Sequence, residues 1–425
     1  MNEKTSLVER VIGLDVHPDS FTAALIVGQT PAQAIVQTTF NKVPIGQLKK
    51  WAEKHTTPTD TLVLEASGNS FDVARALGKI DRKVLVLESC QMGKLKEAHA
   101  NNDKISAVRI GKAFLSGTAK IVWVPDPKTQ DRRDWFHAHR KAVKRVTQTV
   151  NRLTSYLSDN GVRWDGSLKD MDQALAIGQI LALRDWSTSQ RMVIEAFLME
   201  IEAARQQRKH WESLIAIEVA SDPMLLSLVR LCGIRDVVAF ALGAIIGDIT
   251  RFPEPKKLVK YFGLNPAFDD SGNETWTGGI GGHGRKDIRS LLMESAQSIL
   301  RSKSSMAKWG KKLLARKGSI NLTVAALARK LTVAIWYLMS GKAEEVKTID
   351  RSLTVKLGKI ISRVGDKPLE HLGKTRKTLR EEMIQRLKTG RTYCLDPQKK
   401  FQPKPETDSK TSSPMGTLAQ EYGLA

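Results

Sequence analysis

The order of apolar runs in the first third of the chain restricts the fold more than any other feature. Three β-rich runs stand in a row, VIGLDV (11–16), FTAALIV (21–27) and AIVQTTF (34–40), separated by the turn signals HPDS and GQTPAQ. Short intervening turns predict an antiparallel meander. The pattern then alternates. A Lys- and Glu-rich helix over about 47–55 leads to the strand TLVLEA, the helix FDVARALGKI, the strand KVLVLES, the helix DKISAVRIGKAFL and the strand KIVWVP. Runs such as LVLE and VLVLE are apolar up to their closing Glu, near-continuous as in strands covered on both faces.

Downstream the periodicity changes. WFHAHRKAVKRVTQTVNRLTSYLSDNG and QRMVIEAFLMEIEAARQQRKHWESL place apolar residues at helical spacing between charged ones, which predicts long amphipathic helices. Two helices of an ordinary bundle and a dimerising coiled-coil arm both fit. In LVRLCGIRDVVAFALGAIIGDITRF a glycine, Gly233, separates two apolar helices. This is the outline of a helix-hairpin-helix, which offers backbone N–H groups to phosphate. The glycine-rich TWTGGIGGHGRKDIRSLL predicts a tight hairpin or loop running into a basic helix, with Arg285, Lys286 and Arg289 near its first turn. GKTRKTLREEMIQRLKTGR reads as a basic helix, either solvated or placed for RNA or DNA backbone contact, and the Lys/Pro/Ser-rich end from about 398 as disordered.

Composition bears on partners. The 425 residues carry 67 Lys and Arg against 45 Asp and Glu, a net charge of +22. Such an excess points to a polyanion, nucleic acid before an anionic membrane surface. Cys90, Cys232 and Cys394 show no zinc-ligand spacing, and three free thiols suit a reducing cytoplasm. The charged start MNEKTSLVER is unlike a signal peptide. The apolar run at 237–247 is about half of the ~20 residues that a membrane span requires. The expected protein is cytoplasmic, acts on nucleic acid and does not enter a membrane.

The residues able to carry chemistry are acids at strand ends and helix starts: Asp15 in VIGLDVH, Glu65 in LVLEASG and Asp103 in NNDKISA. A buried sheet can aim such carboxylates at one point, where they would hold Mg²⁺ through oxygen. A pair of such ions activates an attacking oxygen and stabilises a leaving one in phosphodiester chemistry. A fourth acid is expected one turn after Asp103; that position is Ser106, neutral and a weak ligand. Far downstream, Ser271 in AFDDSGN reads either as a turn serine or as a nucleophile that needs activation, with His283 its candidate neighbour.

A meander followed by alternating helices and strands is the order of a ribonuclease-H-like domain, in which the first strand, the fourth strand and a late helix gather their acids. The segments VIGLDVH, LVLEASGNSFDVARAL, NDKISAVRIGKAFLSG, WVPD, LCGIRDVVAFALGAIIGDITRF, KKLVKYFGLNPAFDDSGN and GGIGGHGRKDIRSLLMESA together resemble the Piv/MooV-type DEDD transposases of insertion sequences, the one-hundred-and-ten family. The resemblance implies an α/β ribonuclease-H-like (RuvC-type) domain over 1–126, a helical dimerisation or coiled-coil segment over 127–215, a mostly helical transposase domain over 216–345 and a basic helical extension with a disordered tail over 346–425. It implies Mg²⁺ at Asp15, Glu65 and Asp103, with Ser106 where the family has its fourth acid. It implies Ser271 as the serine that forms a covalent phosphoserine bond to DNA. Gly233, Arg285, Lys286 and Arg289 would touch nucleic acid. The implied partners are donor and target DNA, a structured guide (bridge) RNA that pairs with both, and further copies of the chain as dimers or tetramers.

Two other readings share these features. The substitution at Ser106 suits a catalytically impaired nucleic-acid-binding regulator. Actin-like ATPases and sugar kinases also start on a GLDV-type strand, but they need a duplicated phosphate-binding half, and GGIGGHG lacks the Lys-Ser/Thr ending of a P-loop.

Overall fold

The computed structural model describes residues 10–89, 102–166, 168, 171–271, 274–342, 344–345, 349–389 and 393–394, without the side chains of 267–278, 344–345, 389 and 393–394. Cys90, the side chain of Cys394 and the tail from 398 lie outside that description. The chain forms two compact units, 1–126 and 127–425.

The first unit is a mixed sheet with helices on both faces. Its strands are β1 (Val11–Val16), β2 (Ser20–Val27), β3 (Ile35–Pro44), β4 (Thr61–Glu65), β5 (Lys83–Leu87) and β6 (Ile121–Val122), in the order β3-β2-β1-β4-β5-β6. The β1–β2 and β2–β3 pairs are antiparallel, as short turns require. The β1–β4 and β4–β5 pairs are parallel, and β6 returns antiparallel. The strand expected over KIVWVP shrinks to two residues.

Alternation along β1 sorts its side chains between two layers. Ile12, Leu14 and Val16 join a core with Leu48 and Trp51 of α1 (Leu48–His55) and Val73 and Leu77 of α2 (Ser70–Gly78). Val11, Gly13 and Asp15 face the other way. There α3 (Asp103–Leu115) covers the sheet, packing Ile110 and Ala113 on Val11 and Val63. Gly13 is what lets α3 lie close. A Cβ on it would fall 2.0 Å from the Ala107 carbonyl oxygen and 2.9 Å from the Gly111 nitrogen.

The second unit is built on two long helices, α4 (Pro127–Asp159) and α6 (Thr188–Ser221), which pack together. One half of each forms an arm with α5 (Gln173–Leu181), around Val150, Leu153, Ile180, Ile194, Leu198 and Ile201. The other half enters a larger core with α7 (Pro223–Arg230), α8 (Asp236–Ile246), α9 (Pro255–Tyr261), α10 (Lys286–Leu300), α11 (Ser305–Lys317) and α12 (Ile320–Met339). Between α9 and α10 runs the hairpin β7 (Pro266–Ser271) and β8 (Glu274–Ile280). Arg132 of α4 reaches Glu218 and Asp222, both acids at the end of α6, and Asp222 also caps α7. Burial opposes charge on Asp222, but the Arg132 charge prevails and holds its carboxyl below the ordinary range.

Two expected boundaries look different in three dimensions. Residue 215 falls inside continuous α6. The segment after 345 is no appendage, because α13 (Arg351–Val364), α14 (Asp366–His371) and α15 (Arg376–Thr389) bury Leu353, Leu357, Leu369, Leu379, Met383 and Leu387 in the larger core. The basic helix of GKTRKTLREEM thus has an apolar face at i, i+4, i+8 spacing that its charge conceals. The strands β9 (Glu344–Glu345) and β10 (Tyr393–Cys394) pair beyond it. α12 is long and apolar enough to cross a bilayer by length and composition, a stretch longer than the expected apolar maximum at 237–247. It carries Arg329 and Lys330 and buries Val324, Leu327, Leu331 and Ile335 in the core.

Gly13→Ala should lower the stability of the full chain by about 1–3 kcal/mol, the usual penalty for overpacking. Gly78→Ala, where a Cβ meets nothing within 4 Å, should leave stability unchanged or raise it by up to about 1 kcal/mol. Denaturant unfolding of the two variants checks this. Equal midpoints would mean that α3 does not rest on β1.

Candidate nucleic-acid-processing site

Asp15 and Glu65 end neighbouring parallel strands. Their register closes at Leu14 opposite Leu64, so Asp15 and Glu65 are the next residues along, and both lie on the α3 side of the sheet by alternation. α3 lays Ala107 and Gly111 over Gly13. Asp103 is one turn before Ala107 on the same helix face, which carries it to the end of β1. Asn102, not Asp103, accepts the capping bond from the Ile105 N–H. The Asp103 carboxylate is thereby spared that duty.

The structure brings Asp15 and Asp103 together with a residue that sequence reasoning missed, His17. One ligand atom from each of the three lies within 4.8 Å of the others. The His17 Nε2 atom is 3.7 Å from Asp15 Oδ2 and 3.5 Å from Asp103 Oδ1. Asn69, before α2, donates to the His17 carbonyl and ties down the turn after β1. A signal for His17 was present in VIGLDVH: two residues beyond Asp15, it shares that residue's side of an extended chain. Glu65 stands outside this three-residue group, at the end of the adjacent strand, and Ser106 is half-buried on α3.

Two ligands on opposite sides of a small divalent cation at 2.0–2.1 Å are about 4.2 Å apart. The His17–carboxylate separations are already inside that span. Two carboxylates, with Glu65 beside them, fit a hard cation, and the imidazole widens the choice toward Mn²⁺ and related ions.

Other predicted site residues lie in the second unit. Ser271 is the last paired residue of β7, opposite Glu274; its side chain lies outside the described atoms. After β8 the segment 281–284 crosses closely over the end of α9. A Cβ on Gly263 (φ +67°) would meet the His283 carbonyl oxygen at 1.6 Å. Arg289 holds this crossing by donating to the carbonyls of Gly282, Gly263 and His283. Arg285 forms a two-pronged pair with Asp287. Burial opposes the Asp287 charge, but that pair keeps its carboxyl below the ordinary range. Lys286 is exposed and has no salt bridge among the described residues. Of the three cations, then, two have structural duties. Gly233 (φ +80°) also has one, since a Cβ there would strike Ser295 O and Ile299 of α10. At the start of α8 beside it, buried Asp236 is paired with Arg363.

The comparisons with known proteins agree on one relationship. Residues 227–310 match the family described as Transposase IS116/IS110/IS902 family. The transposase for insertion sequence element IS1111A of Coxiella burnetii is 24% identical over 245 residues, 56% of this chain and 66% of that protein. A putative transposase of Sinorhizobium fredii, y4qE, is 22% identical over 266 residues, 63% of this chain and 64% of that protein. The transposase for insertion sequence element IS1328 of Yersinia enterocolitica is 21% identical over 341 residues, 77% of this chain and 95% of that protein. The chain spans just under two thirds of the length of the first two curated relatives. By these similarities, and most directly through residues 227–310, the chain is related to transposases of the IS116/IS110/IS902 family.

Proposed function

We propose that this chain is the transposase of an insertion sequence, an RNA-guided site-specific recombinase that cuts and rejoins DNA through a phosphoserine intermediate. The observation that carries the reading is the meeting of Asp15 and Asp103, distant in sequence, at the end of the central strand β1 of a mixed sheet. In this reading the first unit is a ribonuclease-H-like domain of RuvC type, and the order β3-β2-β1-β4-β5-β6 supports it. Asp15, Glu65 and Asp103 would hold Mg²⁺, with His17 and Ser106 beside them. A cation bound there supplies neutralising charge at the phosphate oxygens.

In this reading the Ser271 hydroxyl loses its proton and its oxygen bonds to phosphorus. The bond from phosphorus to one sugar oxygen breaks, and that oxygen takes up a proton. A second sugar hydroxyl then displaces the serine. Phosphoester bonds are conserved, so strands exchange without ATP. The acidic site and Ser271 belong to different units, so both must reach one scissile strand, within a protomer or across a pair. Residues 127–215 would serve dimerisation. Met192 and Met199, one heptad apart on α6 and each 65% exposed, support that use of the arm. Pairing by the guide RNA would read sequence, leaving the basic protein to bind backbones, in the cytoplasm and away from membranes.

A second reading is favoured by Ser106: the same scaffold kept as a nucleic-acid-binding regulator with an impaired metal site. A carboxylate there would add charge to the cluster, and the neutral hydroxyl does not.

Two measurements test these readings. In titration calorimetry, Asp15→Asn and Asp103→Asn should each weaken Mn²⁺ binding at least tenfold, roughly what loss of even an outer-shell partner does. His17→Ala should weaken Mn²⁺ more than Mg²⁺. Unchanged binding in all three would remove the metal site. With Mg²⁺, cognate RNA and DNA, wild type should form a covalent protein–DNA adduct that Ser271→Ala does not form. An adduct in that variant rules out the serine. Recombination by wild type as fast as by Ser106→Asp would eliminate the impaired-regulator reading.

A further inference from the structure

In the second unit, a cavity of about 740 Å³ lies between α4, the start of α8 and the first turns of α10. This is within the range of pockets that hold small ligands, about 300–1,000 Å³. The site residues already discussed do not line it. Its rim is the α4 face carrying Arg140, Lys141 and Lys144, neighbours at i, i+1 and i+4. All three are exposed, and none forms a salt bridge among the described residues. The floor is apolar, with Val143, Val237 and Leu291.

Below the rim is His139, only 6% exposed, with its Nε2 3.8 Å from the Glu212 carboxylate. The imidazole helps hold that carboxyl below its ordinary range. On the opposite wall Glu294 and Ser290 present acceptors and a hydroxyl. Lys286 stands one turn before Ser290 on the same face of α10. Burial and the nearby Arg285 charge hold the His137 imidazole below its ordinary range, so the rim's positive charge comes from Arg140, Lys141 and Lys144.

We propose that this cavity seats one unpaired nucleotide of a bound strand. Its flanking phosphates lie on Arg140, Lys141 and Lys144, its sugar or base lies on the apolar floor, and Glu294 accepts from a base amino group. The chemistry fits each part. Exposed cations without a carboxylate partner attract phosphate. An apolar floor accepts a base face, and a carboxylate accepts from an exocyclic amine. The volume admits a single nucleotide. The inference rests on the nucleic-acid reading above but not on its catalytic step.

The test is binding of a labelled single strand of about 20 nucleotides, long enough to span a typical single-strand site. Fluorescence anisotropy is read over a salt series with the full chain carrying Ser271→Ala and without divalent cation. Arg140→Gln with Lys144→Gln should weaken binding about tenfold or more. It should also reduce the slope of log affinity against log salt by about 1.4, at about 0.7 for each phosphate that is no longer neutralised. Lys311→Gln with Lys312→Gln, exposed cations on α11, removes the same charge and should change affinity less than about twofold, if the general field alone is small. Equal losses in the two pairs, or no loss in the first, overturn the proposal. So does full displacement of the strand by millimolar inorganic phosphate at constant ionic strength, which would leave only a small-anion site. Arg140→Gln and Lys144→Gln alter exposed residues; an unchanged melting midpoint shows that the loss is not unfolding. Failure of the Ser271 adduct leaves this result untouched, and failure here leaves the serine assignment untouched.

Discussion

The contact on which the first unit depends is the approach of one helix to one glycine. β1 has no side chain at Gly13, and α3 presents Ala107 and Gly111 there. Backbone then meets backbone, and the helix is held at a height and register that larger residues would not permit. The geometry of the acidic cluster follows from this packing. One turn before Ala107 stands Asp103, and two residues after Gly13 stands Asp15. A helix repeat and a strand repeat, pinned at a single crossing, deliver two carboxylates to the same end of β1. His17 adds a nitrogen between them.

The second unit solves a different problem. Two helices of 33 and 34 residues must serve an arm at one end and a globular core at the other. Near the junction of α6 and α7, Arg132 draws two acids together, while apolar residues of α4 and α6 are divided between two cores. A buried arrangement of this kind gives little net stability but strongly disfavours a slipped register, because any slip strands an uncompensated charge. The helix faces not used in either core are where the basic rim of α4 and the exposed methionines of α6 are found.

Several features of this architecture were legible in the residues. The meander and the later alternation of helices and strands were written in turn signals and apolar runs, which are local. Asp15, Glu65 and Asp103 could be named because the first two stand at the ends of such runs and the third opens a helix. His17 was overlooked: its spacing from Asp15 was the one local signal, and only the packing of α3 sets Asp103 against it. Arg285 and Arg289, near the first turn of a basic helix, were expected to touch nucleic acid, yet Asp287 and three carbonyls engage them. A cation's partners are a tertiary property. The basic C-terminal helix looked solvated because its many charges mask an apolar stripe at Leu379, Met383 and Leu387.

The chain by itself determined what short-range forces decide: where strands and helices form, which strand faces are apolar, and that the whole is a polycation. Steric limits on φ and ψ, hydrogen bonding within a turn and the alternation of side chains act over a few residues, so they can be read along the line. Only the tertiary structure decided that α6 runs unbroken past residue 215, that residues 351–389 belong to the core, and that His17 joins the acids. Those outcomes depend on packing and charge pairing between residues far apart in sequence, and such energies exist only once the chain has closed on itself.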